Sequence, residues 1–216
     1  MTTQNKSSRI LWAIRIAIFL SLTVLIFLWF KLNPLSKSFK QYDMLDSSNP
    51  LMYLDVSIGG ENIGRIIIEL YSHITPKTAE NWRQLCVGGF QKDGKEYTFK
   101  KNKFHRIIKD FIVQAGDLIS GDGTGSISIY GDRMEDENFI VSHDQPGVIS
   151  MANHGPNTGG SQWCIFLHRS LYIDGKAVAF AKVVKGMEVV YKMHVAETVK
   201  DVPVKPVVIE DCGQLS

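Results

Sequence analysis

Between Phe104 and Gln114 the chain reads Phe-His-Arg-Ile-Ile-Lys-Asp-Phe-Ile-Val-Gln, which gathers a cation, an aromatic ring and an amide around one reversal of direction. Arginine is permanently charged and donates several hydrogen bonds, so Arg106 offers electrostatic stabilisation without a nucleophile. Whether the three groups meet depends on register. A two-residue loop at Lys109-Asp110 pairs Ile108 with Phe111 and sets Arg106 beside aliphatic Val113. A three-residue loop, Lys109-Asp110-Phe111, pairs Ile107 with Val113 and Arg106 with Gln114, polar with polar on one face, and is the better arrangement. It also frees Phe111 from the ladder, so that the ring stands at the rim beside the guanidinium. His105, next to Arg106 on a strand, points to the opposite face and reads as structural. Alone, the hairpin fits a surface arginine beside a core phenylalanine equally well.

Other chemistry-bearing patterns are weaker. Gly121-Asp122-Gly123-Thr124-Gly125 is rich in glycine but lacks the lysine and the strand-to-helix setting of a phosphate-binding loop. The acidic run Glu135-Asp136-Glu137 lacks calcium-loop spacing and reads as a solvated loop with a structural cap. The six histidines form no metal-binding HxH or HExxH pattern, and Cys86, Cys164 and Cys212 are too widely and unequally spaced for a disulfide framework or a metal site. Neither metal nor cofactor is expected.

Elements to position the hairpin are legible on both sides of it. Apolar strands are expected at Leu51 to Ile58 and Ile63 to Leu70, around the turn Gly59-Gly60-Glu61-Asn62. Six more follow: Phe104 to Ile108, Ile112 to Gly116, Gly147 to Ala152, Gln162 to Leu167, Ala177 to Val183 and Val204 to Glu210. Thr75 as cap, Pro76 at the first helical position, Ala79, Trp82, Leu85 and Cys86 at helical spacing and Gly88 as stop define one helix. A shorter one covers Met187 to Met193. Eight strands suffice to close a barrel, and two helices suffice to cap its open ends.

Charge divides the chain. Of 24 basic residues, six lie within residues 1–45 against Asp43 alone, so the other 171 residues carry 18 basic and 21 acidic groups. The folded part is mildly acidic, which excludes a nucleic-acid footprint. Residues 10–30 form a 21-residue apolar run with Arg15 as its only charge, and at about 1.5 Å per residue a helix of that length spans roughly 30 Å of hydrocarbon. Trp12, Trp29 and Phe30 stand where aromatic belts lie. A transmembrane signal-anchor helix at 10–30 is therefore expected, after a basic tail at 1–9 and before a stem at 31–50 and a domain at 51–216. The rival is a signal peptide cut near Ser36-x-Ser38. Basic residues nearly balance across the span, and the α-amine tips the orientation to type II, with the domain lumenal or extracellular. Cleavage would instead leave it secreted or lumenal.

From Leu51 to Ser216 the sequence resembles the cyclophilins, in order and without large gaps. The resemblance rests on Phe104-His105-Arg106-Ile107-Ile108 with Phe111 and Gln114, then Gly123-Thr124-Gly125, Glu135-Asp136-Glu137-Asn138-Phe139, Ser150-Met151-Ala152-Asn153, Gly155-Pro156-Asn157-Thr158, Gly160-Ser161-Gln162 and Asp211-Cys212-Gly213-Gln214-Leu215. It implies a closed eight-stranded antiparallel barrel capped by two helices, peptidyl-prolyl cis-trans isomerase activity on proline-containing segments of client proteins, and cyclosporin as the typical inhibitor.

Rotation about an X-Pro bond meets a resonance barrier of about 20 kcal/mol and breaks no bond. A hydrogen bond to the prolyl nitrogen favours its twisted, pyramidal form. By the resemblance Arg106, Phe111 and Gln114 are catalytic: Arg106 donates that bond, Gln114 holds the guanidinium, and Phe111 with Ile112 receives the pyrrolidine ring. Ala152, Asn153, His154, Gln162, Cys164, Tyr172 and Ile173 line the substrate groove, with the Asn153 main chain binding peptide as an added strand. Departures stand beside these matches. Cys164 replaces a second phenylalanine and thins one pocket wall, Ala177 replaces a pocket histidine, and Tyr172 replaces the tryptophan of strongly cyclosporin-sensitive members, so weakened drug binding is expected. A proline-peptide binding module or chaperone with weak or lost catalysis is the alternative function.

Overall fold

The protein is described here by a computed structural model that covers residues 48–215 and Trp12. The expected basic tail, membrane helix and stem up to residue 47 otherwise lie outside the described residues. Among the described residues no helix is long and apolar enough to cross a membrane.

Strands β1 (Leu51–Ile58) and β2 (Glu61–Leu70) open the domain. Gly59 and Gly60 both take positive φ, so the hairpin turns on two residues, and Glu61 and Asn62 join the strand instead of the turn. Helix α1 (Pro76–Val87) follows, then a short hairpin of β3 (Phe90–Lys92) and β4 (Lys95–Tyr97), additional to the eight strands expected from the sequence. Strands β5 (Arg106–Ile108), β6 (Ile112–Ala115), β7 (Val148–Met151), β8 (Trp163–Phe166) and β9 (Ala179–Lys185) precede helix α2 (Met187–His194). A second short hairpin, β10 (Thr198–Val199) with β11 (Val202–Pro203), leads into β12 (Val207–Gln214).

Eight of these strands form one antiparallel sheet in the order β12-β1-β2-β9-β7-β8-β6-β5. The expected closed barrel is corrected: the sheet curls but stays open, because its edge strands β12 and β5 do not pair. At the seam the irregular chain before β5 bonds β12 instead, with Lys101 N–H donating to Ile209 O and Phe104 N–H to Val207 O at 2.6 and 2.9 Å. The outer edge of β5 is taken by the β10–β11 turn, where Ile107 N–H donates to Asp201 O at 2.7 Å. A sheet edge needs partners for its main chain, and an inserted hairpin supplies them as well as a strand ladder does.

Inside the curl, Trp82 of α1 packs on Trp163 of β8 with ring centroids 5.6 Å apart, and Phe99 and Phe104 stand edge-on to the same indole. All four rings are at most 1% exposed, so burial of these large apolar surfaces is the main stabilising term. Helix α1 keeps its expected extent but not its expected cap. Thr75 makes no side-chain cap bond; the Glu137 carboxylate accepts from the N–H groups of Lys77 and Thr78 at 3.0 and 2.8 Å. A carboxylate at a helix N-terminus satisfies orphan donors and meets the positive end of the dipole.

Candidate active site

Strands β5 and β6 pair Arg106 with Gln114, Ile107 with Val113 and Ile108 with Ile112, which is the register of the three-residue loop. Asp110 holds a left-handed φ of 59° at the tip, and Phe111 N–H donates to Ile108 O at 3.1 Å. The turn thus lifts Phe111 out of the ladder and turns its ring onto the rim.

On that rim the rings and alkyl groups cluster. Ile112, Cys164 and Phe166 form a small apolar centre separate from the main core, with Ile108, Phe111, Ala152 and Ile173 packed around it. Alternation along β8 explains the split: Trp163 and Ile165 enter the curl, while Cys164 and Phe166 face outward into this second cluster. Phe111 stands edge-on to Phe166 at 5.6 Å and stacks on Tyr172 at 5.9 Å with 26° between ring planes. Phe166 went unread at the sequence level. The signal was available, since a residue two places from Cys164 on a strand must share its face.

Polar side chains beside the cluster are held differently from expectation. Gln114 lies opposite Arg106, but its amide donates to Gln162 Oε1 at 2.8 Å. Gln162 in turn donates to the carbonyls of Gly123 and Gly125 at 2.9 and 2.7 Å, so its side chain ties the glycine loop to the site. The charged neighbour of Arg106 is Asp201, at 3.5 Å from Nε to Oδ2. Asn153 donates from its side chain to Lys176 O at 2.7 Å, while its main-chain N–H and C=O make no main-chain hydrogen bond among the described residues. His154 follows on the exposed face, its N–H held by Thr158 Oγ1. His105 lies just before β5 and not on it, but it is buried, and burial lowers its pKa and favours the neutral ring. Ala177, half-buried, follows Lys176 in the same loop.

Two groups near the pocket have the chemistry of nucleophiles, and neither is available. Cys164 is 7% exposed, and burial pushes its thiol up to about 12, far from the thiolate form. Ser150 lies across from Cys164 on the neighbouring strand and meets His143 Nε2 at 2.5 Å, while His143 Nδ1 meets Asp174 Oδ1 at 2.7 Å. The order Ser-His-Asp is that of a hydrolytic relay. Here both Ser150 and His143 are sealed, at 1% and 0% exposed, so no carbonyl reaches the hydroxyl. The chain instead ties β7 to the turn after Ile173. Burial raises the Asp174 carboxyl, but bonds from Ser142 and His143 outweigh it and hold the pKa below the usual range.

The glycine loop answers the phosphate question in the same way. Asp117, 1% exposed, accepts from the N–H groups of Ile119, Ser120, Asp122, Gly123 and Gly125 at 2.7–3.2 Å. Donors that a phosphate would need are already committed to one carboxylate. A Cβ at Gly125 would lie 2.5 Å from Ile119 Cβ, so only glycine lets the loop close around Asp117.

The site thus combines an exposed cation, an apolar recess and nucleophiles sealed from solvent. The sequence matches the family model of the cyclophilin type peptidyl-prolyl cis-trans isomerase/CLD over residues 53–214. The chain belongs to that family, and it is a peptidyl-prolyl cis-trans isomerase of the cyclophilin type.

Proposed function

We propose that Arg106 supplies the catalytic hydrogen bond of this isomerase and that the recess of Phe111, Ile112, Phe166 and Ile173 receives the proline ring. The carrying observation is the hairpin register, which sets a half-exposed guanidinium and the Phe111 ring on one rim. Rotation demands that the prolyl nitrogen lose conjugation with the carbonyl. A donor aimed at that nitrogen binds the twisted form better than the planar one, and interactions that strengthen only in the transition state raise turnover. The apolar recess holds the ring while the acyl side turns, and the main chain of Asn153, which has no main-chain partner among the described residues, accepts the peptide as an added strand segment.

Substrates on this proposal are exposed X-Pro segments of client proteins. The chain is carried by an uncleaved membrane anchor at residues 10–30, with the domain lumenal or extracellular as a type II protein. Cyclosporin binds more weakly than to members with a tryptophan at the position of Tyr172, because the smaller phenol ring is already stacked on Phe111.

Exchange spectroscopy on a short Ala-Pro peptide tests the assignment of Arg106. Removing one transition-state donor lowers turnover by about 100-fold in comparable sites, so Arg106→Ala is expected to reduce catalysed cis-trans exchange by that order with peptide affinity little changed. Unchanged exchange in the variant would remove Arg106 from the mechanism, and tight peptide binding by the wild type without enhanced exchange would leave a binding module.

A further inference from the structure

Arg106 is the polar centre of the site, yet Gln114, the residue paired with it across the ladder, is bonded to Gln162. Its only ion-pair partner among the described residues comes from the far end of the chain: Asp201, with Oδ2 at 3.5 Å from Arg106 Nε. The backbone that carries that carboxylate is fixed in place. It stands in the two-residue turn of the β10–β11 hairpin, where Val199 pairs with Val202 and both Lys200 and Asp201 hold left-handed φ, 51° and 67°. The turn is pinned to the catalytic strand itself, because Asp201 O accepts from Ile107 N–H at 2.7 Å. One residue therefore touches both the main chain of β5 and the side chain of its arginine.

We propose that Asp201 is a positioning residue for the isomerase reaction, orienting the Arg106 guanidinium through Nε so that its terminal N–H groups face the proline site. The inference rests on Arg106 being the catalytic donor. An arginine side chain free to rotate loses several rotamers' worth of entropy when it must meet one atom. A carboxylate behind Nε limits that freedom before substrate arrives, and preorganisation of this kind acts on turnover. Both side chains are about half exposed, at 49% and 44%, so the pair adds little to fold stability.

The left-handed turn dictates which variants are informative. Asparagine and glycine tolerate that conformation, whereas alanine strains it. Asp201→Asn keeps shape and removes charge, and Asp201→Gly removes the side chain while suiting the backbone; both keep the carbonyl that bonds Ile107. In the full-length protein, each is expected to lower kcat/KM for an Ala-Pro peptide about fivefold, with the loss in kcat and KM unchanged. In an Arg106→Ala background, Asp201→Asn is expected to cause no further loss, since a residue acting through Arg106 has nothing left to position. Full activity in both Asp201 variants, or a loss that multiplies with Arg106→Ala, would overturn the proposal while leaving Arg106 in place. If Arg106→Ala itself costs nothing, the role of Arg106 falls and that of Asp201 falls with it.

Discussion

Phe166 shares one face of β8 with Cys164 and supplies an aromatic wall to the apolar cluster proposed to receive proline. Its ring is 4% exposed, edge-on to Phe111 and 4.8 Å from the His143 ring centroid. It therefore supports the pocket from behind as well as lining it. Truncation should cost about 3 kcal/mol of stability by leaving a cavity, and it should raise KM more than it lowers kcat because Arg106 is untouched. Urea unfolding and peptide exchange on Phe166→Ala measure the two, and Phe166→Leu, which keeps most of the apolar volume, should recover most of both. An equal fall in kcat with KM unchanged would show that the ring acts on chemistry rather than on fit. Cys164, by contrast, is a packing residue whose thiol has no reactive form near neutral pH. Its neighbour Ser150 is equally enclosed.

At the scale of elements, the loop from Asp117 to Gly125 is organised around one buried carboxylate. Burial pushes the Asp117 carboxyl up, but main-chain N–H groups of Ser120, Gly125, Gly121 and Gly123 outweigh it and bring the pKa to about 2 from an ordinary 3.8. Since the folded value lies below the unfolded one, the ionised group stabilises the fold above about pH 4. That stabilisation, about 2 kcal/mol, drains away as pH falls from about 4 to 2. Asp117→Asn is expected to be less stable than the wild type by that amount at pH 7 and to converge with it near pH 2. Parallel denaturant titrations across this range check the sign, and a difference independent of pH would show that charge is not the cause. Because Gln162 bonds the carbonyls of Gly123 and Gly125, the same loop props the Gln114 side of the site. The β3–β4 turn at Asp93-Gly94 was readable in the chain, as Asp-Gly between short strands is a strong hairpin signal. The β10–β11 hairpin was not, for Lys200-Asp201 carries no glycine and its strands are two residues each.

For the whole molecule, the proposed membrane anchor makes a prediction separate from those of the domain. If residues 10–30 anchor the chain with the domain in the lumen, protease added to intact microsomes should leave the domain protected, and the protected species should retain full length apart from the short cytoplasmic tail. Digestion of the domain would reverse the orientation, and a product shortened by about the first 38 residues before protease is added would replace the anchor with a cleaved signal.

What the chain determined by itself is local. Periodicity of two and of 3.6, turn residues and helix stops located the eight principal strands and both helices, and polar-with-polar pairing was enough to choose the register that brings Arg106 opposite Gln114. These signals are carried by residues close together in sequence, where main-chain geometry leaves few alternatives. Tertiary structure decided the rest: that the curled sheet stays open at β5, that Glu137 caps α1, that Gln114 turns to Gln162, and that Asp201 stands behind Arg106. Each of those contacts joins segments far apart along the chain. Which carboxylate or amide arrives at a given donor is set by how the sheet curls and which loops fill its seam, and no spacing within either segment records it.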